Sequence, residues 1–233
     1  MVLRLIEEGR PLDEIIWFDT GWEFPENYQH IDLVESRIGI PITRLHPDEP
    51  FEYMMLHKPV TKRSGENKGQ THKRGYGWPS WHWRWCTAHK RAVIRRHIRE
   101  TTKPGELCGQ YIGFALDERK RAETKAFSKP EYVFPLIEWG MTEADCLEYC
   151  RARGYTFGGI YEHFSRLSCW CCPIASLDYH RTLRREFPHI WARMIEWDAA
   201  MSCDDNRTFS KHESLEALDA RFAREDDRWK IWG

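Results

Sequence analysis

Residues Glu14-Ile15-Ile16-Trp17-Phe18-Asp19-Thr20-Gly21 form a short apolar run that ends in two polar side chains and a glycine. A continuous apolar run of this length predicts a buried strand, which is typical of parallel sheets covered on both faces. Such a strand delivers polar groups at its carboxyl end. We therefore expect Asp19, Thr20 and Gly21 to lie at one edge of a sheet.

The chain on either side of this strand alternates between helical and extended patterns. Alternation of this kind predicts an α/β fold with a mainly parallel sheet flanked by helices. The predicted helices cover residues 26–38, 87–100 and 142–153, and the further predicted strands cover residues 41–45, 110–116 and 132–137.

After Pro173 the pattern is helical throughout. One segment runs to Glu186, a second restarts at Pro188, and a third opens with a capping-box pattern at residues 210–213. The sequence thus predicts an α/β domain over residues 1–173 and a helical C-terminal subdomain over residues 174–233, packed on the first.

Composition places the chain among globular proteins of a reducing compartment. Its 233 residues, 41% of them hydrophobic, can bury a substantial core, and no stretch resembles a membrane span. The first residues carry acids inside their apolar run and lack a signal-peptide cleavage site. We therefore expect a cytoplasmic protein without a membrane partner, and the pattern leaves its oligomeric state open.

The cysteines are concentrated in one turn, Cys169-Trp170-Cys171-Cys172-Pro173, and another follows Trp85 at Cys86. In a C-x-x-C pair such as Cys169 and Cys172, two thiolates of one turn can reach a single metal, and a distant cysteine can complete the site. Eight cysteines in a reducing compartment favour metal ligands, reactive thiols or small buried side chains over disulfides. Cys146 and Cys150 share a helix face and are predicted to be structural, and Cys203 to be an incidental loop thiol.

Charge is distributed unevenly along the chain. Residues 1–57 hold twelve acids and four Lys or Arg, whereas residues 58–99 hold twelve Lys or Arg and the single acid Glu66. Residues 58–77 are predicted to form an exposed basic insertion, and the tryptophans at 78, 81, 83 and 85 follow it directly. Three interpretations stay open: a solvated face with the tryptophans in the core, a mononucleotide site, or a surface that stacks bases and neutralises phosphates.

Four segments in this order resemble the phosphoadenosine phosphosulfate (PAPS) reductase family. They are residues 16–25, residues 85–87, residues 113–121 and the cysteine-rich turn, so the resemblance spans roughly residues 1–200. It implies the adenine nucleotide alpha hydrolase type of fold, with an adenylated substrate bound above the strand ends.

The resemblance also implies roles for individual residues. Asp19, Thr20 and Gly21 match the segment beside the bound nucleotide. Glu118 and Arg121 match an acidic and basic pair, in which Arg121 would contact a phosphate or sulfate oxygen.

Cys86, Cys169 and Cys172 resemble the iron–sulfur ligands of the adenylyl-sulfate branch. One cysteine of that pattern is replaced by Thr87, so either Cys171 or Cys108 is the fourth ligand, or the cluster is of a different kind or absent. The implied cofactor is an iron–sulfur cluster of the 4Fe–4S type, and zinc is the alternative because it accepts the same thiolates.

Two features of the family are not found in this sequence. Relatives carry a glycine- and serine-rich phosphate loop before a helix that resembles residues 1–8, and thioredoxin-linked reductases place a nucleophilic cysteine near the C-terminus. Either the chain starts after the loop or nucleotide chemistry has been lost.

The sequence therefore predicts one of two functions. The first is an enzyme of sulfur metabolism, an oxidoreductase or transferase that acts on an adenylated sulfonucleotide or ATP. The second is a non-catalytic, metal-stabilised binding module whose residues 58–99 contact nucleic acid or a partner protein.

Overall fold

The computed structural model describes residues 1–201, 209–210 and 213–232, with side chains up to residue 226. Within these residues the chain is α/β, as the sequence predicts. The strands are β1 (Ile15–Phe18), β2 (Ile42–Leu45), β3 (Pro59–Thr61), β4 (Thr71–Arg74), β5 (Gln110–Tyr111) and β6 (Tyr132–Val133). The helices are α1 (Val2–Glu7), α2 (Pro25–Ile38), α3 (Phe51–Leu56), α4 (Trp85–Thr101), α5 (Arg119–Ala122), α6 (Pro135–Glu138), α7 (Glu143–Arg151), α8 (Leu177–Glu186), α9 (Pro188–Ala200) and α10 (Leu215–Trp232).

The strands are short and pair two by two. β1 pairs with β2, β3 pairs with β4 in an antiparallel hairpin, and β5 pairs with β6 in parallel. In the β5–β6 pair, Gln110 lies opposite Tyr132 and Tyr111 opposite Val133. Helices therefore supply most of the regular structure in the described chain.

Two strand predictions are too long. The predicted strand at 110–116 ends at Tyr111, and a 3₁₀ turn follows at Leu116–Glu118. The predicted strand at 132–137 ends at Val133, because Pro135 lacks an N–H for a sheet and its fixed φ suits the first turn of α6.

The chain forms two compact units whose segments alternate along the sequence. The first unit comprises Met1–Trp17, Pro25–Leu45 and Ile94–Gly159, and the second comprises Phe18–Phe24, His46–Val93 and Ile160–Gly233. The helices after Pro173 belong to the second unit, and the division into domains at residue 173 stays a prediction.

The first unit contains a small core of Ala115, Leu136 and Met141. Cys146 packs against this core from α7, and Cys150 is half-buried on the same helix, in keeping with a structural role. Thr142 caps α7 with a full capping box, since its hydroxyl accepts from the N–H of Asp145 while the Asp145 carboxylate accepts from the N–H of Thr142.

The core of the second unit is aromatic. Trp22 lies 5.3 Å from Phe51, 6.0 Å from Trp85 and 5.9 Å from Trp197, measured between ring centroids. All four rings are buried. Because these rings come from all three segments of the second unit, they hold its loops in fixed positions.

The C-terminal part of the chain differs in one boundary from the prediction. The third helix begins at Leu215, where the Ser214 hydroxyl accepts from the N–H of Ala217 at 3.2 Å, rather than after Ser210. Residues 211–212 of the predicted capping box lie outside the described residues, and so does Cys203. In the described part of the chain, no helix has the length and apolar character needed to cross a membrane.

Candidate functional site

The turn after β1 is shaped by its own polar groups. The Asp19 carboxylate accepts from the N–H of Gly21 at 2.7 Å, and the Thr20 hydroxyl accepts from the N–H of Trp22 at 3.1 Å. Gly21 adopts a φ of +75°, a conformation that glycine reaches without strain. The turn is then fixed in the second unit by Trp22 and Phe24, which are both buried.

Thr20 connects this turn to the cysteine-rich turn. Its hydroxyl donates to Glu23 Oε1 at 2.9 Å and lies 3.5 Å from Cys169 Sγ. Cys169 itself donates to the same Glu23 oxygen at 3.6 Å, and the N–H of Trp170 donates to the carbonyl of Trp22 at 2.9 Å. Two segments that the sequence singled out separately therefore meet in the second unit.

The cysteine-rich turn is tight and mostly buried. The N–H of Cys172 donates to the carbonyl of Cys169 at 3.0 Å, which closes the C-x-x-C turn as predicted from its spacing. Trp170 stacks on Trp197 at 5.2 Å, and Cys171 is 2% exposed. The packing fixes this turn and leaves Cys169 and Cys172 half-buried.

Cys86 lies in the first turn of α4, next to Trp85, whose indole N–H donates to the carbonyl of Gly77 at 3.1 Å. A negative charge on Cys172 would raise the pKa of Cys86, and one on Cys169, Cys172 or Cys86 would raise the pKa of Cys171, so these sulfur atoms lie near one another. The structure thus brings all four predicted ligands into one neighbourhood. Cys108, the other candidate for the fourth ligand, belongs to the first unit.

Burial keeps these thiols protonated. It is the largest cause of the raised pKa of Cys86, Cys169, Cys171 and Cys172. For Cys172 the effect is opposed by hydrogen bonds from the backbone at Ile174 and Ala175 and by the charge of Arg84. Because the thiolate is the form that attacks and ligates, these cysteines as found are poor nucleophiles, and a bound metal would have to displace their protons.

The four thiols are of the chemical type that binds metals, but their positions are not those of a metal site. Soft thiolates select zinc and iron–sulfur clusters, and four of them are the usual complement. In the part of the chain that the structure describes, however, no group of three or more His, Cys, Asp or Glu side chains is arranged so that it could hold a metal ion. The described cysteines are all free thiols.

A buried histidine lies next to the cysteines and was not predicted from the sequence. His180 on α8 is 1% exposed, and its Nε2 lies 3.1 Å from the carbonyl oxygen of Cys172. Its Nδ1 has no hydrogen-bond partner among the described residues. Burial lowers the pKa of His180 to about 4, so the ring is neutral near pH 7.

Three further side chains of this neighbourhood were also missed. Glu23 bonds Thr20 and Cys169, His46 Nδ1 lies 3.5 Å from Asp19 Oδ2, and the Arg84 charge reaches Cys172. Glu23 and Arg84 each lie two positions from a segment that the sequence singles out, and His46 directly follows the strand predicted at 41–45.

Glu118 and Arg121 form the predicted pair in the first unit. Arg121 Nη1 donates to Glu118 Oε1 at 2.9 Å, across the boundary between the 3₁₀ turn and α5. The guanidinium lies 4.3 Å from the centroid of the Phe114 ring, and half of the Arg121 side chain, 52%, is exposed. Arg121 is therefore held in place and still accessible to an anion.

Comparisons with known proteins identify one family. The protein family described as "Phosphoadenosine phosphosulfate reductase domain" matches residues 1–175. An uncharacterized protein of Methanocaldococcus jannaschii is 26% identical over 200 residues, which are 83% of this chain and 37% of that protein. The chain thus spans little more than a third of the length of this relative. No solved structure matches the chain. The match over residues 1–175 shows that the chain belongs to the phosphoadenosine phosphosulfate reductase domain family.

Proposed function

We propose that the chain binds an adenine nucleotide, either an adenylated sulfonucleotide or ATP, and acts on it as a reductase or transferase. The observation that carries this proposal is the contact between Thr20 and Cys169. By resemblance, the turn of Asp19, Thr20 and Gly21 is the segment beside the nucleotide. A nucleotide there would place its reactive group next to the only described cluster of thiols.

In the first unit, the resemblance assigns to Arg121 a contact with phosphate or sulfate oxygens, and we propose that role for it. A guanidinium presents several N–H donors in one plane and forms charge-assisted bonds to such anions. The contact between the guanidinium and the Phe114 ring limits the orientations of the Arg121 side chain, so the side chain loses less conformational entropy when an anion binds. Glu118 would hold the guanidinium in place before the anion binds.

Calorimetric titration with PAPS, adenylyl sulfate and ATP tests this proposal. Replacement of a charged hydrogen-bonding group typically costs about 1.5–3 kcal/mol, so Arg121→Gln should weaken nucleotide binding about 10- to 100-fold. Arg119→Gln is the matched control, because Arg119 lies on the same helix, is more exposed and pairs with Glu123 at 3.3 Å. Equal affinities of both variants, or no binding of any of the three nucleotides, would refute the proposal.

The same proposal assigns Cys86, Cys169, Cys172 and Cys171 as ligands of an iron–sulfur cluster, with zinc as the alternative. This requires the thiols to lose their protons and to shift from the arrangement found. A cluster would supply electrostatic stabilisation or sulfur chemistry next to the nucleotide.

Metal analysis after anaerobic purification tests the ligand assignment. A cluster gives bound iron and sulfide with absorbance at about 400 nm, which Cys172→Ser should abolish and Cys146→Ser, on α7, should leave unchanged. Zinc alone, lost in Cys172→Ser, would select the alternative cofactor. Wild-type protein without either metal would refute the assignment while leaving nucleotide binding to be judged by calorimetry.

A further inference from the structure

The second unit carries a strongly basic hairpin that the candidate site does not use. Every residue from 61 to 70 is exposed, in the loop and flanks of the β3–β4 pair. Lys62, Arg63, Lys68 and Arg74 are exposed and form no ion pair with any residue that the structure describes. Glu66 is the only acid between positions 58 and 99, so nothing nearby in the sequence neutralises these cations.

Two exposed tryptophans follow the hairpin. Ten tryptophans have described side chains, and among these only Trp81 and Trp83 are exposed, at 58% and 45%. Trp78 and Trp85, on either side of them, are buried at 8% and 1%. The core interpretation of the tryptophan cluster therefore holds for two of its members and not for Trp81 and Trp83.

The exposed rings lie among cations and are held in place. The Arg84 guanidinium lies 4.4 Å from the centroid of the Trp81 ring. The N–H of Trp83 donates to the Ser80 hydroxyl at 3.1 Å, and the N–H of Ser80 donates to the carbonyl of Trp83 at 3.2 Å. These bonds fix the turn that presents both rings to solvent.

Tyr76 connects the rings to the base of the hairpin. Its ring lies 5.1 Å from the Trp83 ring in an edge-on contact, and the Lys58 ammonium is 6.0 Å from its centroid. The N–H groups of Gly75 and Tyr76 donate to the carbonyls of Lys58 and Met54. The cationic hairpin and the exposed rings are therefore parts of one surface, which we name the basic aromatic surface and which comprises the hairpin at residues 58–74 with the turn at residues 80–84.

We propose that the basic aromatic surface binds single-stranded nucleic acid. Cations neutralise the phosphates and exposed indoles stack on bases, the combination that single-strand binding proteins use. A duplex keeps its bases stacked on each other and offers the indoles no free face. An acidic peptide would use the cations and leave the two exposed rings without partners.

Fluorescence anisotropy with labelled oligonucleotides of about 20 residues tests the proposal on the full chain. Binding should weaken as salt rises from about 50 to 200 mM. The triple variant Lys62→Ser, Arg63→Ser, Lys68→Ser should lose three phosphate contacts. On a single strand each contact contributes about −0.7 to the slope of log affinity against log salt concentration, so the slope should become less negative by about two. The matched control is the combined change Lys103→Ser, Lys120→Ser and Lys125→Ser, which removes the same charge from exposed positions of the first unit.

The aromatic part is tested separately. The double variant Trp81→Leu, Trp83→Leu should bind more weakly by a factor of about five or more for each ring removed, because base stacking is lost while apolar surface remains. Trp81→Phe with Trp83→Phe should retain most of the affinity, because a ring that can stack is kept.

Each of four results would overturn the proposal. They are no association with the single strand, equal losses in the two charge variants, leucine variants as tight as the phenylalanine variants, or binding to duplex or polyglutamate as tight as to the single strand. None of these results depends on nucleotide binding at the candidate site.

Discussion

Thr20 joins two turns that are 149 positions apart in the sequence. The sequence identified both turns, one from a strand pattern and the other from cysteine spacing, because local patterns indicate what chemistry a segment can perform. Which segments meet depends on packing between distant residues, here the rings around Trp22. For the same reason Glu23 and His180 were not predicted, since in sequence they resemble a solvated acid and an ordinary helix histidine.

His30 gives a prediction for the pH dependence of stability. Its ring lies 4.2 Å from Phe157 and 5.6 Å from Tyr155, and burial, with a smaller effect of the Arg37 charge, lowers its pKa. Below a pH of about 6.5 the unfolded chain takes up a proton at His30 that the folded chain does not. The free energy of unfolding should therefore fall as the pH falls from about 6.5 toward the lowered pKa.

Replacement of His30 by phenylalanine should remove this contribution while keeping an aromatic ring against Phe157. Urea denaturation at pH values of about 7.5 and 5 measures the effect. We expect a smaller loss of unfolding free energy between the two pH values in the variant than in the wild type. An equal loss in both proteins would show that His30 does not contribute.

At the scale of whole elements, the strands predicted before Asp19 and at 41–45 agree with β1 and β2 to within one residue, whereas those at 110–116 and 132–137 are too long. The prediction for 26–38 agrees with α2, and that for 87–100 with α4, to within two residues, because helical periodicity and capping residues add up over several turns. An apolar run of four to seven residues carries no comparable signal. The runs at 110–116 and 132–137 therefore suggested strands where the chain turns early into helical segments.

The β3–β4 hairpin provides a prediction about a single glycine at its end. Gly75 has a φ of +77°, and a Cβ there would lie 2.3 Å from the carbonyl oxygen of Met55. Gly75→Ala should lower the free energy of unfolding by roughly 3 kcal/mol, from left-handed strain plus this clash. Denaturation in urea measures the change.

Gly69 offers the matched control, because its φ is +87° and no atom lies within 4 Å of the position of a Cβ. Gly69→Ala should cost only the strain, about 1–2 kcal/mol. If both alanine variants lose the same stability, the backbone contact with Met55 does not restrict Gly75.

At the scale of the molecule, the two units are interleaved along the chain. Composition and periodicity change at Pro173 and predict a boundary there, but they do not indicate interleaved segments, because both quantities are averaged along the sequence. The partners of a residue in space are not part of such an average. Trp197 illustrates this, since it packs on Trp22 and Trp78, and its indole N–H donates to Glu52 at 3.1 Å.

The interleaving predicts that residues 160–233 do not fold alone. Without residues 18–24 and 46–93, Trp197 would lose all three of these partners. The isolated fragment should show no cooperative urea transition and no near-ultraviolet circular dichroism of packed tryptophans. A sharp transition with a native-like near-ultraviolet spectrum would contradict this expectation.

The segment Phe18–Phe24 belongs to the second unit, and its seven residues begin with the last residue of β1 and end directly before α2. It contains the Asp-Thr-Gly turn and is held by the buried side chains of Trp22 and Phe24. An insertion or deletion within it would displace one of these buried rings. In sequences that descend from a common ancestor with this chain, gaps should therefore be absent between positions 15 and 25. They should collect instead at positions 61–70, where exposed backbone can lengthen or shorten without moving the core.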